Sequence, residues 1–567
     1  MLLFFPLSRA VDPLFSTSPS SSPLLLPFHT HTHTLSSGAK TMKTSVVLSL
    51  LVVLLALLGA LEAKKAPLRV SNFNGARFSS GVPTTTSKDL ASFYGSVNVE
   101  GDVSEQEVRQ TPIIVTESMW NQLTTDINNF FVLTMGTLVF LMQLGFVLLE
   151  AGMVRSKNIV NLLFKNIMDV CIGCVGWYFF GFAFFAGSGN SFIGHDHFAL
   201  KDVGEPGEDG TFTVWFYSFT FAATAATIAS GCMAERTQLV GYLIFTFICV
   251  SFTYPVVAHW IWSTDGWLGV YSGDPPIASF GCLDFAGGLV VHLVGGLHGI
   301  VGTLCLGPRL GRFDNDGPKP QGHNIVLVAE GTFVLWFGWY GFNSGSTFAV
   351  TDGISEVASL AAVNSTLAAA FGAIVSLAFS TVVDKRMDLG ATMNGILAGL
   401  VAITSPCVYI EPWAAVIIGM VAGVLYQLSA RALIFLKVDD PIDAFPVHAV
   451  NGIWAAFSVG LFCEDDRVLT IHPFIENDSG TYDHGLFVGG GGRQLAAQIV
   501  GIVVVSAWSL VLASICFVPV KFLGLLRVPV MEERMGLDEA KHGGHAYPEH
   551  SLIMRTLATR LLSKDQE

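Results

Sequence analysis

The sequence predicts an all-α membrane protein with eleven transmembrane helices, arranged as a five-plus-five inverted repeat plus one final helix. Three observations lead there. Of the 567 residues, 51% are hydrophobic and only 13% charged, more apolar surface than a soluble fold can hide from water. Eleven apolar stretches follow residue 126, and basic side chains gather in every second loop between them.

The amino-terminal region stands apart from that body. Residues 1–41 are rich in Ser, Pro and Thr and read as a disordered or mis-started extension. Residues 42–63 have the layout of a signal peptide: Lys43, an apolar run, then the small residues Gly59, Ala60 and Ala63. A first membrane helix is the alternative, but the apolar run is short for a span and a polar segment follows it. Residues 64–126 are expected to form an extracellular segment, 127–525 the transmembrane domain, and 526–567 a cytoplasmic regulatory tail.

The expected spans are 127–152, 159–186, 213–233, 240–262, 285–306, 324–346, 357–381, 390–404, 413–430, 448–462 and 495–519. The eighth and tenth are short for the hydrocarbon thickness. Arg155, Lys157, Arg236, Arg309, Arg312, Lys319, Lys385, Arg386, Arg431 and Lys437 all fall in alternate loops, whereas the others offer only Lys201, Arg467 and Arg493. The positive-inside rule then puts the amino end outside and the tail in the cytoplasm.

Eleven spans divide into five, five and one, and an odd number per half makes the second five insert upside down relative to the first. His292 lies in span five and His448 in span ten, each eight residues after an aspartate, Asp284 and Asp440. Ionisable side chains at membrane depth are costly and mark functional pathways, so an in-plane pseudo-two-fold axis would bring the two imidazoles together at the midplane. Glycine-rich stretches such as Gly287-Gly288 and Gly295-Gly296 let helices approach closely where lipid supplies no hydrophobic drive.

Other signals exclude more than they assign. The net charge of −14 comes mainly from loop and tail carboxylates and does not indicate an acidic ligand. The nine cysteines are irregularly spaced and form neither a metal-ligand pattern nor a disulfide framework. Asn477-Asp478-Ser479 offers a glycosylation sequon, while Asn364-Ser365-Thr366 falls inside span seven.

Several motifs resemble one family. Asp284-Phe285-Ala286-Gly287-Gly288-Leu289-Val290-Val291-His292, and Asp439-Asp440-Pro441-Ile442-Asp443-Ala444-Phe445-Pro446-Val447-His448, resemble signatures of the ammonium transporter family (Amt/Mep/Rh). So do Ala234-Glu235-Arg236, Trp336 through Ser346, and Pro412-Trp413-Ala414-Ala415. The similarity runs from about Asn128 to Pro548, and the loop 263–282 looks like the plant-type branch.

The resemblance implies a homotrimeric ammonium transporter of the plasma membrane, with a pore inside each subunit and no catalytic group, cofactor or metal. It assigns an outer recruitment site to Trp262, Ser346, Phe221 and Tyr217, where aromatic faces attract a cation and a hydroxyl accepts one of its hydrogen bonds. Phe221 and Phe342 match the family's aromatic gate, and His292 and His448 the pore lining that would pass ammonia while the proton moves separately. Ser218 stands where bacterial members carry glutamine. Gly536 and Asp538 match a tail segment through which subunits activate one another, but Ala540 replaces the threonine that plant-type relatives phosphorylate; Ser551 and Thr556 remain further on.

Plainer roles compete. Asp284 opens a span and reads first as a helix cap, as do Asp440 and Asp443. Trp262 and the phenylalanines would otherwise be interfacial belt or core. The offset of His298 from His292 turns it away from the pore face, toward a neighbouring helix or subunit. Glu330 sits unexpectedly in the cytoplasmic half of span six. Two other functions fit the same residues less well: an Rh-like electroneutral ammonia or carbon dioxide channel, and an intramembrane metal enzyme using His292, His448, Asp284 and Glu330, which lacks any clustered ligand spacing.

Overall fold

Thr116 caps the first helix by accepting from the Met119 amide at 3.2 Å, so α1 (Glu117–Met153) begins ten residues before the apolar run that marks it in the sequence. That first part, expected to belong to the extracellular segment, carries polar residues such as Asn121, Gln122 and Asp126 and is exposed almost throughout. Capping and helix propensity, rather than hydropathy, set this boundary. The structure is a computed structural model that describes residues 116–204, 210–272, 275, 280–475 and 482–547. The extension, the signal-peptide region, the Asn477 sequon, Ser551 and Thr556 lie outside these residues.

The other apolar helices are α2 (Ser156–Ala186), α3 (Thr211–Cys232), α4 (Leu239–Trp262), α5 (Gly288–Leu306), α6 (Ile325–Gly345), α7 (Ile354–Val383), α8 (Leu389–Thr404), α9 (Pro412–Phe435), α10 (Phe445–Phe462) and α11 (Arg493–Phe522). Ten of the eleven are long and apolar enough to cross a membrane; α8 has 16 residues. The chain is thus a multi-pass, all-helical membrane protein, with no strand longer than an isolated bridge among the described residues.

The same helix pairings recur in each half. α1 packs on α3 as α6 packs on α8, α2 on α4 as α7 on α9, and α3 on α5 as α8 on α10, while α1 and α6 lie along one another between the halves. That recurrence is the pattern a five-plus-five repeat demands. The Gly452 Cα meets α5 so closely that a Cβ would lie 2.6 Å from Gly288 O, so glycine is what lets α10 cross α5. Asn364 is fully buried and donates to the carbonyls of Cys407 (2.8 Å) and Ile410 (3.2 Å).

On the face where α5, α6 and the tail segment meet, charges knit the halves together. Asp439, buried before α10, accepts from Arg309 Nε at 2.8 Å and Nη2 at 2.9 Å, and Arg312 Nε lies 3.2 Å away. Burial alone would raise this carboxyl, but the hydrogen bonds and charge of Arg309, with Arg236 beside it, hold it down at about 2.

Candidate transport pathway

Four side chains expected at the outer site share one cavity. It has a volume of about 440 Å³ and is lined by Tyr217, Ser218, Phe221, Trp262, Asp284 and Ser346, among others. Trp262 ends α4, where its indole Nε1 donates to the Asp284 carbonyl at 2.7 Å, so the loop before α5 fixes its face. Ser346 caps the end of α6 and donates to Phe342 O at 2.8 Å, which leaves its oxygen lone pairs available. The Tyr217 hydroxyl is spent on the same helix end, 3.1 Å from the carbonyls of Gly341 and Phe342 and 3.3 Å from Ser346 Oγ.

Phe221 lines this cavity and stacks on Phe342 behind it. Their rings stack with centroids 3.9 Å apart and planes inclined by 20°, and both are buried. Trp262 meets Phe221 edge-on at 6.2 Å. Phe342 also lies 5.4 Å from the His292 ring, so vestibule, ring stack and histidine follow one another directly.

The two imidazoles lie side by side, centroids 5.2 Å apart, with Nδ1 of His292 and Nδ1 of His448 separated by 3.2 Å. Trp339 stacks on His292 at 5.1 Å and is anchored by its Nε1 donating to Thr404 Oγ1 at 3.1 Å. Phe146 of α1 reaches to 6.2 Å from His448. His292 Nε2 is buried without a hydrogen-bond partner in the protein.

Local backbone choices put the rings there. Both histidines sit on π turns, Gly288–Leu293 and Phe445–Val450, at the starts of α5 and α10. Such a turn inserts a residue and rotates the following side chains, a distortion found mostly at functional sites. Asp284 Oδ2 accepts from the amides of Leu289 (2.9 Å) and Val290 (3.0 Å), and Oδ1 from Ser405 Oγ (2.6 Å); Asp440 Oδ2 accepts from Phe445 N at 2.8 Å. Gly287, at φ 100°, makes the bend between Asp284 and α5 that a side chain would strain. Asp443, expected as a second cap, instead accepts from the Tyr426 hydroxyl at 3.0 Å, because Asp440 already holds the first amide of the helix.

Comparison with known proteins places the chain in a family. Residues 130–547 match the model of the Ammonium Transporter Family. The chain belongs to that family. It is 41% identical over 422 residues to Ammonium transporter 3 of Dictyostelium discoideum, covering 73% of this chain and 93% of that protein. It is 42% identical over 446 residues to Ammonium transporter 1 member 3 of Solanum lycopersicum, covering 76% and 95%. Among solved structures it resembles the Sensor Amt Protein (TM-score 0.66, 33% identity, 74% of this chain and 99% of that one) and Candida albicans Mep2 (TM-score 0.64, 30% identity, 73% and 88%).

Within this ammonium transporter family chain, the tail residues stand at the start of α2. Asp538 Oδ1 accepts from Asn161 N at 3.0 Å, and Asn158 Oδ1 accepts from Leu537 N at 2.9 Å. Gly536 has φ 111°, and a Cβ there would lie 2.8 Å from Lys157 Cβ; Lys157 Nζ in turn donates to Glu533 O at 3.2 Å. His298 packs its ring 5.6 Å from Phe245 and its Nδ1 lies 2.8 Å from Val294 O, apart from the histidine pair. Glu330 is exposed on α6 between Val326 and Phe333, not turned inward.

Sequence reading missed part of the wall. Tyr409, Tyr271 and His472 also line the vestibule, with the Tyr409 hydroxyl 2.8 Å from His472 Nε2. Their signal was faint, since the loop positions share no spacing with the motif residues. Trp339 and Phe146 were inside quoted or apolar runs, but only the fold sets them against the imidazoles.

Proposed function

We propose that this chain recruits ammonium at the Trp262, Ser346, Phe221 and Tyr217 vestibule, strips its proton, and passes ammonia between His292 and His448. The observation carrying this reading is the uninterrupted sequence of stacked Phe221 and Phe342, 3.9 Å apart, followed by two imidazoles joined at 3.2 Å. Ammonium and potassium are similar in size, so a rigid cavity separates them poorly; directed N–H donors and a removable proton are what distinguish ammonium. A bare cation pays a large desolvation penalty among those rings, whereas the neutral amine does not.

The proton then travels apart from ammonia. Two neutral imidazoles bonded through Nδ1 hold a single proton between those atoms, and a second on the pair is strongly disfavoured. The assembly is a homotrimer in the plasma membrane, with the amino end outside and the tail inside. Expression in yeast that cannot take up ammonium tests the reading: growth on low ammonium and uptake of methylammonium support it. No rescue by correctly localised protein overturns it. Ammonia passage without current would convert it to the electroneutral channel.

A further inference from the structure

Where α1, α2, α3 and α4 meet, apart from the side chains used in the transport reading, lies a buried charged cluster with no assigned task. Glu150 of α1, Lys165 and Asp169 of α2 are 0%, 4% and 2% exposed. Lys165 Nζ stands 3.5 Å from Glu150 Oε2 and donates to Ser230 O at 3.0 Å. Ser230 Oγ is 3.0 Å from Glu150 Oε2 and 2.9 Å from Asn166 Oδ1. One turn along α3, Thr227 Oγ1 lies 2.7 Å from Asp169 Oδ2 and 2.8 Å from Gln143 Oε1, and Thr246 Oγ1 of α4 donates to the other Asp169 oxygen at 2.5 Å.

The cluster is more than a stitch between helices. A structural pairing at membrane depth balances its charges and satisfies its polar atoms, since each lapse is costly. Here two carboxylates face one ammonium group, and two buried atoms, Glu150 Oε1 and Gln143 Nε2, have no partner. The remaining ionisable groups around it supply little compensation: the Tyr242 ring, 5.0 Å from Lys165 Nζ, Cys249, and Arg236 toward the Asp439 face. Helical spacing puts Gln143, Phe146 and Glu150 on one face of α1, and Phe146 is the residue that leans on the His448 ring. Glu150 therefore stands about one turn of α1 beyond the ring that meets His448, in a low-dielectric interior that screens its charge weakly.

We infer that the Glu150, Lys165 and Asp169 cluster sets the electrostatic potential at His292 and His448, and so determines how readily the proton released from ammonium crosses with the ammonia. These are specificity-determining residues acting through the field, not ligands of the substrate. The inference rests on the proposed passage of ammonia between the histidines.

The test is the ratio of ammonium-evoked current to methylammonium tracer uptake, measured on the purified full-length protein in liposomes. Asp169→Asn and Glu150→Gln, each removing one negative charge, lower the ratio about tenfold; Lys165→Met, removing the positive one, raises it, and Lys165→Met combined with Asp169→Asn returns it toward wild type. Two acid variants guard against one that misfolds, and a purely structural role moves all singles the same way. Single variants that shift the ratio in one common direction, or leave it unchanged, overturn the inference. His292→Ala in the same liposomes checks the underlying reading: an unchanged ratio and rate there count against the pore, independently of the cluster.

Discussion

Asp284 holds the helix that carries His292 by both carboxylate oxygens, one on the amides of Leu289 and Val290 and the other on the Ser405 hydroxyl. It also lines the vestibule. Its carbonyl accepts from Trp262 Nε1, so on the proposed reading Asp284 acts on ammonium through the positions of Trp262 and His292. Asp284→Ala leaves two amides and a hydroxyl unpaired in a buried place, a loss of about 3 kcal/mol or more. We expect poor recovery of assembled protein in mild detergent, measured by size-exclusion chromatography. Asp284→Asn keeps part of the bonding and should recover better; equal recovery of Ala and wild type contradicts the role.

The ring stack makes a separate prediction. Replacing Phe221 by alanine removes the ring from the 3.9 Å contact and lets water reach Phe342 and His292. A hydrated gap lowers the penalty on a bare cation, so discrimination of ammonium over potassium falls by about tenfold. Competition of potassium with methylammonium uptake reads this directly, and preserved discrimination argues that selection occurs elsewhere.

At the tail, Gly536 combines a positive φ with a Cβ position already occupied by Lys157. Gly536→Asp cannot keep that turn, and Asp538 then loses its hold on the start of α2. Co-expressed with wild type, it is expected to silence mixed assemblies. Activity proportional to the wild-type share of chains means the tail does not act between subunits.

Asp439 yields a pH prediction. Its folded carboxyl is held at about 2 against an ordinary 3.8, so the stabilisation is present above pH 4 and is lost as pH falls toward 2. The shift corresponds to about 2 kcal/mol. Asp439→Asn should therefore lower thermal stability at pH 7 while the difference from wild type narrows near pH 3. A constant difference across that range removes the ion pair with Arg309 as its source.

Much of this was legible because membrane depth makes sequence periodicity and charge placement strict. The spans were readable from apolar runs, and the histidines from their matched offsets after Asp284 and Asp440. What escaped was local backbone geometry. Nothing in the hydropathy around Val291-His292 or Val447-His448 announces a π turn, because apolar periodicity does not encode where one extra residue enters a helix. The start of α1 was hidden for the opposite reason, since a polar, capped turn extends past the apolar stretch. Asp443 shows the limit of motif reading: two acids near one helix start looked alike until Tyr426 claimed the second.

The most direct measurement is methylammonium uptake, with and without competing potassium, by His292→Ala and His448→Ala in the uptake-deficient yeast. Opening the 3.2 Å imidazole contact is predicted to reduce uptake or admit potassium in both variants. Wild-type rates and wild-type selectivity in both would contradict the account.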